Sequence, residues 1–187
     1  MNWTVRNREG ELIEHASLSG LSAFQQCPEQ WRQRYIQLSE TKDHNIYAIW
    51  GTAHHEAVSL NMNQKVESHE DLPTRVVIDS FVGSLENQVR EYGDAIRWNK
   101  FTKDTVRLIG SGLVAQYHSQ VAPTIQPIRA EEEFNVKLDG LPVLLRGIID
   151  IETENCVIDM KTSSRKVLYP KDEWRLQGEI YQLASRK

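Results

Sequence analysis

Apolar residues recur at near-helical spacing through the first two thirds of the chain and at alternate positions in much of the last third. Ser17-Leu18-Ser19 offers helix caps ahead of Leu21, Phe24, Trp31, Tyr35 and Leu38. Pro28 lacks a backbone donor, so the spacing predicts one helix ending near Cys27 and a second starting at Pro28. Trp50 to Leu60 reads as a further helix that gives out in the polar run Asn61 to His69. Asp71-Leu72-Pro73 resembles a cap with a proline in the first turn, opening a long amphipathic helix through Val76, Val77, Phe81, Leu85, Val89 and Tyr92. After the break at Gly93, a helical pattern runs from about Thr102 through Val106, Ile109, Leu113 and Tyr117 to Val121, despite Gly110 and Gly112 inside it.

Pro123 and Pro127 close this half, and the period falls from near four to two. In the strand predicted over Ile128 to Leu138, one face carries Ile128, Ala130, Glu132, Phe134, Val136 and Leu138, which makes Glu132 an acid on an apolar face. Asp139-Gly140 signals a tight turn into a strand at Val143 to Ile151. The tetrapeptide Glu152 to Asn155 then turns into a third strand at Cys156 to Lys161. Asp172-Glu173-Trp174 opens a closing helix through Leu176, Ile180, Tyr181 and Leu183. Residues 1–16 read as a small hairpin or loose arm, with a turn at Arg8-Glu9-Gly10-Glu11.

The expected class is α/β in the α+β sense: a small sheet flanked by helices, with a helical N-terminal half. One domain over 1–187 is expected, with 17–122 mainly helical and 126–187 forming the sheet core and closing helix. Three strands make a small sheet for this length, so either an early segment completes it or the domain continues past Lys187.

The charge balance changes the picture only modestly. Twenty-two basic against 26 acidic residues give a formal net charge of −4, so no overall basic field recruits nucleic acid. Contact with DNA must then come from a local patch or from bound metal. Cys27 and Cys156 lie far apart and suggest neither a zinc pattern nor a disulfide framework, and Cys27 reads as a small buried residue. No stretch approaches the roughly 18 apolar residues of a membrane span, and the N-terminus lacks an apolar signal core, so a cytoplasmic protein is expected.

The candidate chemistry lies on the hairpin. Asp159 and Lys161 share a face with Val157, and Asp150 ends the preceding strand. A carboxylate or ammonium withdrawn from water costs several kcal/mol unless paired or metal-bound. Paired strands are separated by about 4.8 Å, so their carboxylates can reach one divalent ion. Taken alone, the Asp159 and Lys161 pair reads equally well as neighbours on an edge strand.

The spacing of Asp150 and Asp159-Met160-Lys161 resembles the signature of the PD-(D/E)XK nuclease superfamily. Gly147-Ile148-Ile149-Asp150 and Val157-Ile158-Asp159-Met160-Lys161-Thr162 are similar to its RecB-like branch, which includes AddB-type nuclease domains and CRISPR-associated exonucleases. Three more stretches resemble that branch in order: Ser19 to Pro28, its opening helix motif; Gly51-Thr52-Ala53-His54-His55-Glu56-Ala57, its Gly-Thr-x-x-His motif; and Gln177-Gly178-Glu179-Ile180-Tyr181, its Gln-x-x-x-Tyr motif.

The resemblance implies a restriction-endonuclease-like core and a Mg²⁺- or Mn²⁺-dependent deoxyribonuclease, exonuclease rather than endonuclease, working in recombination, repair or phage DNA processing. It places His55, Asp150, Asp159 and the Met160 carbonyl on the metal, with Glu132 as an additional ligand and Lys161 as the catalytic lysine. Gln177 and Tyr181 would support the site and touch DNA, while Arg165, Lys166 and Arg175 suit phosphate contacts. Implied partners are single-stranded DNA or duplex ends, and a helicase, recombinase or CRISPR adaptation protein, with no membrane. Some relatives hold an iron-sulfur cluster on a Cys-Pro cysteine and three later cysteines; Cys27 has no such companions here, so no cluster is expected from these residues. The alternative is a non-catalytic nuclease-fold module that binds DNA or assembles a complex.

Overall fold

The computed structural model describes residues 6–38, 44–137, 139–140, 143–163 and 167–185. Its elements, in chain order, are β1 (His15–Ser17), α1 (Leu18–Gln26), α2 (Pro28–Trp31), β2 (His44–Asn45), α3 (Ile46–Ser68), α4 (Thr74–Tyr92), β3 (Ile96–Arg97), α5 (Lys103–Gln120), β4 (Arg129–Val136), β5 (Leu144–Glu152), β6 (Val157–Ile158) and α6 (Asp172–Ser185). The mixed class with a small mixed sheet is the one expected. β1, β5 and β4 lie in that order, and β6 pairs with β5. The described residues fall into two compact units.

The first unit draws on Met1–Thr41, Glu132–Ile149 and Leu168–Lys187. Ser17 caps α1, its hydroxyl accepting from the Gly20 N–H at 3.0 Å, and the chain breaks and restarts at Pro28 as the missing donor requires. A π-helical turn over Arg32–Ile36 follows α2. An early segment does complete the sheet: β1 runs parallel to β5, with Ala16 opposite Leu145. The tip of the arm is an antiparallel bridge between Arg6 and Leu12, turned by Gly10 at φ 83°. A side chain at Gly147 would meet the Phe134 ring at 2.5 Å, so glycine there lets that ring lie on the strand. Tyr181 of α6 packs edge-on against the same ring, with centroids 5.7 Å apart.

The second unit, Lys42–Glu131 with Asp150–Val167, is built around α3. Ile46, Ile49, Ala53 and Ala57 of α3 pack with Val77, Phe81 and Leu85 of α4 and Val106 and Val114 of α5 in one apolar cluster. Gly110 is required by this packing, since a Cβ would lie 2.1 Å from the Phe81 ring. Farther along α3, Val58 and Met62 join Ala122, Ile125 and Ile151 in a second cluster, flanked by Ala130, Ile158 and Met160.

Two helix boundaries differ from expectation for one reason. α3 continues to Ser68 through the polar run, because Asn61 and Lys65 face inward, 1% and 4% exposed, and are fully engaged there. Asn61 donates to Asp71 at 2.7 Å and accepts the Leu72 N–H at 2.8 Å, while Lys65 donates to Asp71 at 2.9 Å and to the Ala122 carbonyl at 2.8 Å. Asp71 is thus committed to α3 rather than capping α4, and Pro73 takes the cap position.

Candidate metal centre

His55 lies on α3, whose approach to the hairpin is set by Gly51. A Cβ at Gly51 would stand 3.2 Å from the Thr162 hydroxyl, so a glycine one turn before His55 lets helix and hairpin meet. The hairpin pairs Ile151 with Ile158 and Glu152 with Val157, and its turn is tied by Thr153, whose hydroxyl accepts the Asn155 and Cys156 N–H groups. The third strand is shorter than expected, ending at Ile158. The physical reason is Asp150: its Oδ2 accepts the Met160 N–H at 2.7 Å, so that donor leaves the strand ladder for a carboxylate. Asp159 and Lys161 follow outside the strand and pair directly, Nζ to Oδ2 at 2.7 Å.

The same Asp150 Oδ2 lies 2.9 Å from His55 Nε2, and His55 Nδ1 lies 3.3 Å from Glu131 Oε1. His55, Glu131 and Asp150 therefore offer one nitrogen and two carboxylate oxygens within 4.8 Å of one another. Oxygen-rich donors with an imidazole fit a divalent ion such as Mg²⁺ or Mn²⁺. The electrostatics agree with a site short of positive charge. The Asp150 hydrogen bond, opposed by burial, raises the His55 pKa, with the Asp150 and Glu131 charges adding to the rise. Burial pushes the Glu131 carboxyl up, with the Asp150 charge acting in the same direction. Burial also raises Asp159, although the Lys161 hydrogen bond and charge oppose it.

Of the expected site residues, the structure brings His55 and Asp150 together, places Asp159 beside Lys161, and ties Met160 to Asp150. Glu132 is corrected. Strand alternation holds at Phe134 and Val136, which are buried, but Glu131 takes a left-handed conformation, φ 53°, and the parity breaks there. Glu132 is exposed, and Glu131 meets His55 instead. The signal that could have found it was only the run of three acids, which does not say which one turns in. His54, the neighbouring histidine of the same stretch, is buried with its ring edge-on to Tyr117, and burial lowers its pKa.

Gln177 and Tyr181 belong to the first unit. They form an i, i+4 pair, the Gln177 amide donating to the Tyr181 hydroxyl at 2.6 Å. Tyr181 is 4% exposed and packs edge-on against Phe134. Arg175 is exposed on α6; Arg165 and Lys166 lie outside the described residues. Cys27 was expected to be buried but is exposed, as is Cys156, because the break between α1 and α2 leaves it at the surface.

A family model for the PD-(D/E)XK nuclease superfamily matches residues 15–187. The chain belongs to that superfamily. Its mixed sheet and flanking helices are consistent with the superfamily's restriction-endonuclease-like fold, and membership implies DNA as the substrate. Superfamily members generally use divalent metals, in keeping with the donor set at His55. No curated protein and no solved structure matches the chain. Among the described residues, no helix is long and apolar enough to cross a membrane.

Proposed function

We propose that this superfamily member is a Mg²⁺- or Mn²⁺-dependent DNA exonuclease of the RecB-like branch, acting on single strands or duplex ends in recombination, repair or phage DNA processing. The supporting observation is the convergence of His55, Glu131 and Asp150, with the Asp159 and Lys161 pair held next to them through Met160. His55, Glu131, Asp150 and Asp159 would hold the ion, joined by the Met160 carbonyl. A divalent ion bound there supplies Lewis acidity and lowers the pKa of water at its surface. Lys161 offers an ammonium to the phosphate oxygens as charge builds on phosphorus, and Asp159 keeps that ammonium in place. Asp150 does two jobs, orienting His55 and fixing the Met160 backbone. In the net reaction, water oxygen bonds to phosphorus, the ester P–O bond breaks, and the leaving oxygen takes a proton.

The test is degradation of end-labelled single- and double-stranded linear DNA, alongside a closed circle, with and without Mn²⁺. Mononucleotide release from linear DNA only, lost with chelator and at least a hundredfold slower in Lys161→Ala, is expected. Nicking of the circle would overturn the exonuclease assignment. Metal-dependent binding of DNA without turnover would favour the non-catalytic alternative.

A further inference from the structure

The segment that follows Lys161 runs against the charge of the whole chain. Residues 161–175 hold five basic side chains against two acidic ones, in a protein whose formal net charge is −4. Within that basic segment stand two large apolar side chains that folding leaves in water: Leu168 is 74% exposed and Tyr169 79%. Single exposed apolar side chains are ordinary on a protein surface, but here a leucine and an aromatic ring are adjacent in the chain. Pro170 has a fixed φ and restricts Tyr169 to extended backbone, so the ring is presented with little freedom in the chain behind it. The next residue starts α6. The Lys171 carbonyl accepts the Trp174 N–H at 3.0 Å and the Arg175 N–H at 3.1 Å, and the Lys171 ammonium lies 5.1 Å from the centre of the Trp174 ring. The first turn of the helix thus places a cation two residues after the exposed ring, with Arg175 exposed on the same turn.

We infer that Leu168, Tyr169, Lys171 and Arg175 form a platform for an unpaired DNA strand, with Tyr169 stacking on a base and the two cations meeting the flanking phosphates. This rests on the reading above that the protein acts on DNA, and adds the form of DNA that it grips here. An apolar partner peptide would use the leucine and the ring but has no need of the cations; a polyanion with flat apolar faces uses both. In a duplex those faces are hidden in the base stack, so a protruding ring finds them only on a single strand or a frayed end. Stacking on an aromatic side chain tolerates any base, as an enzyme that degrades strands of any sequence requires. The restricted backbone at Tyr169 and Pro170 also lowers the ordering cost of binding.

The experiment measures binding of the full chain to a labelled oligothymidylate and to an abasic oligomer of equal length, by fluorescence anisotropy with chelator present so that nothing is cleaved. Thermal melting is recorded in parallel. Tyr169→Ala should weaken oligothymidylate binding about tenfold and leave both abasic binding and the melting temperature unchanged, while Tyr169→Phe, which keeps the ring, should bind like wild type. Lys171→Ala should weaken binding of both oligomers alike and flatten its dependence on salt. Wild-type affinity for oligothymidylate in Tyr169→Ala, or an equal loss on the two oligomers, would overturn the stacking role. Failure of the wild-type chain to bind oligothymidylate would overturn the inference as a whole and turn the exposed pair over to a protein partner. The nuclease reading fails separately: a wild-type chain that binds oligothymidylate through Tyr169 yet cleaves no DNA with Mn²⁺ would sink that reading and leave the strand platform standing.

Discussion

Helix α3 carries two polar clusters, and the difference between them separates a structural network from a candidate site. Around Lys65, one ammonium meets one carboxylate, Asp71, and also donates to the Ala122 carbonyl, while the Asn61 amide donates to the same Asp71. Among the described residues, the charges of this cluster balance. Around His55, three carboxylates, Glu131, Asp150 and Asp159, face one imidazole and one ammonium, and the group is only partly buried. Among the described residues, three acids against one permanent cation leave room for a further positive charge. The burial of polar groups is common to both, so burial alone does not tell them apart; the imbalance of charge is what makes the His55 group the candidate.

Cutting the Lys65 network should have the largest effect on folding. Lys65→Met leaves Asp71 without its cation and the Ala122 carbonyl without a donor, and should lower unfolding stability by about 3 kcal/mol in denaturant titration. Mn²⁺ affinity of the folded fraction should stay at the wild-type level; a loss there would mean the two clusters are coupled. The network should also have an acid limit. Burial pushes the Asp71 carboxyl up, but the Lys65 and Asn61 hydrogen bonds and the Lys65 charge outweigh it and hold the pKa below the ordinary value. A depressed carboxylate contributes stability above its unfolded pKa, and that contribution disappears as pH falls through the folded value. Stability measured between pH 5 and pH 2 should therefore fall more steeply in wild type than in Asp71→Asn.

Asp150→Asn probes the other side of the comparison. It keeps the side chain's shape and an acceptor for the Met160 N–H, but removes a charge from the ion site. DNA cleavage should fall at least a hundredfold, with the melting temperature within a few degrees of wild type. Collapse of the fold would instead place Asp150 with Lys65 among the structural groups. The smallest effect is expected at Tyr117, on α5. Its hydroxyl is buried without a hydrogen-bond partner among the described residues, and burial, helped by the Asp71 charge, pushes its pKa up to about 12. Tyr117→Phe should be neutral or stabilising by up to about 1 kcal/mol; a clear loss in denaturant titration would reveal a partner for that oxygen.

The amino-acid sequence by itself determined the helices with local punctuation, at Ser17, Pro28 and Thr102, and the hairpin carrying Asp150 and Asp159. These features depend on residues a few positions apart, whereas His55 is pointed to by the resemblance to the Gly-Thr-x-x-His motif. Only the tertiary structure decided the rest. Asn61 and Lys65 look like a solvated helix end until Asp71 and Ala122 supply their partners from elsewhere in the chain. Glu131 replaces Glu132 because alternation assumes an unbroken ladder, and a single left-handed residue resets which side chain points inward. Met160 leaves the strand because a carboxylate ten residues earlier takes its N–H. Periodicity records which positions repeat, whereas these three choices depend on partners distant in sequence that only the folded chain brings together.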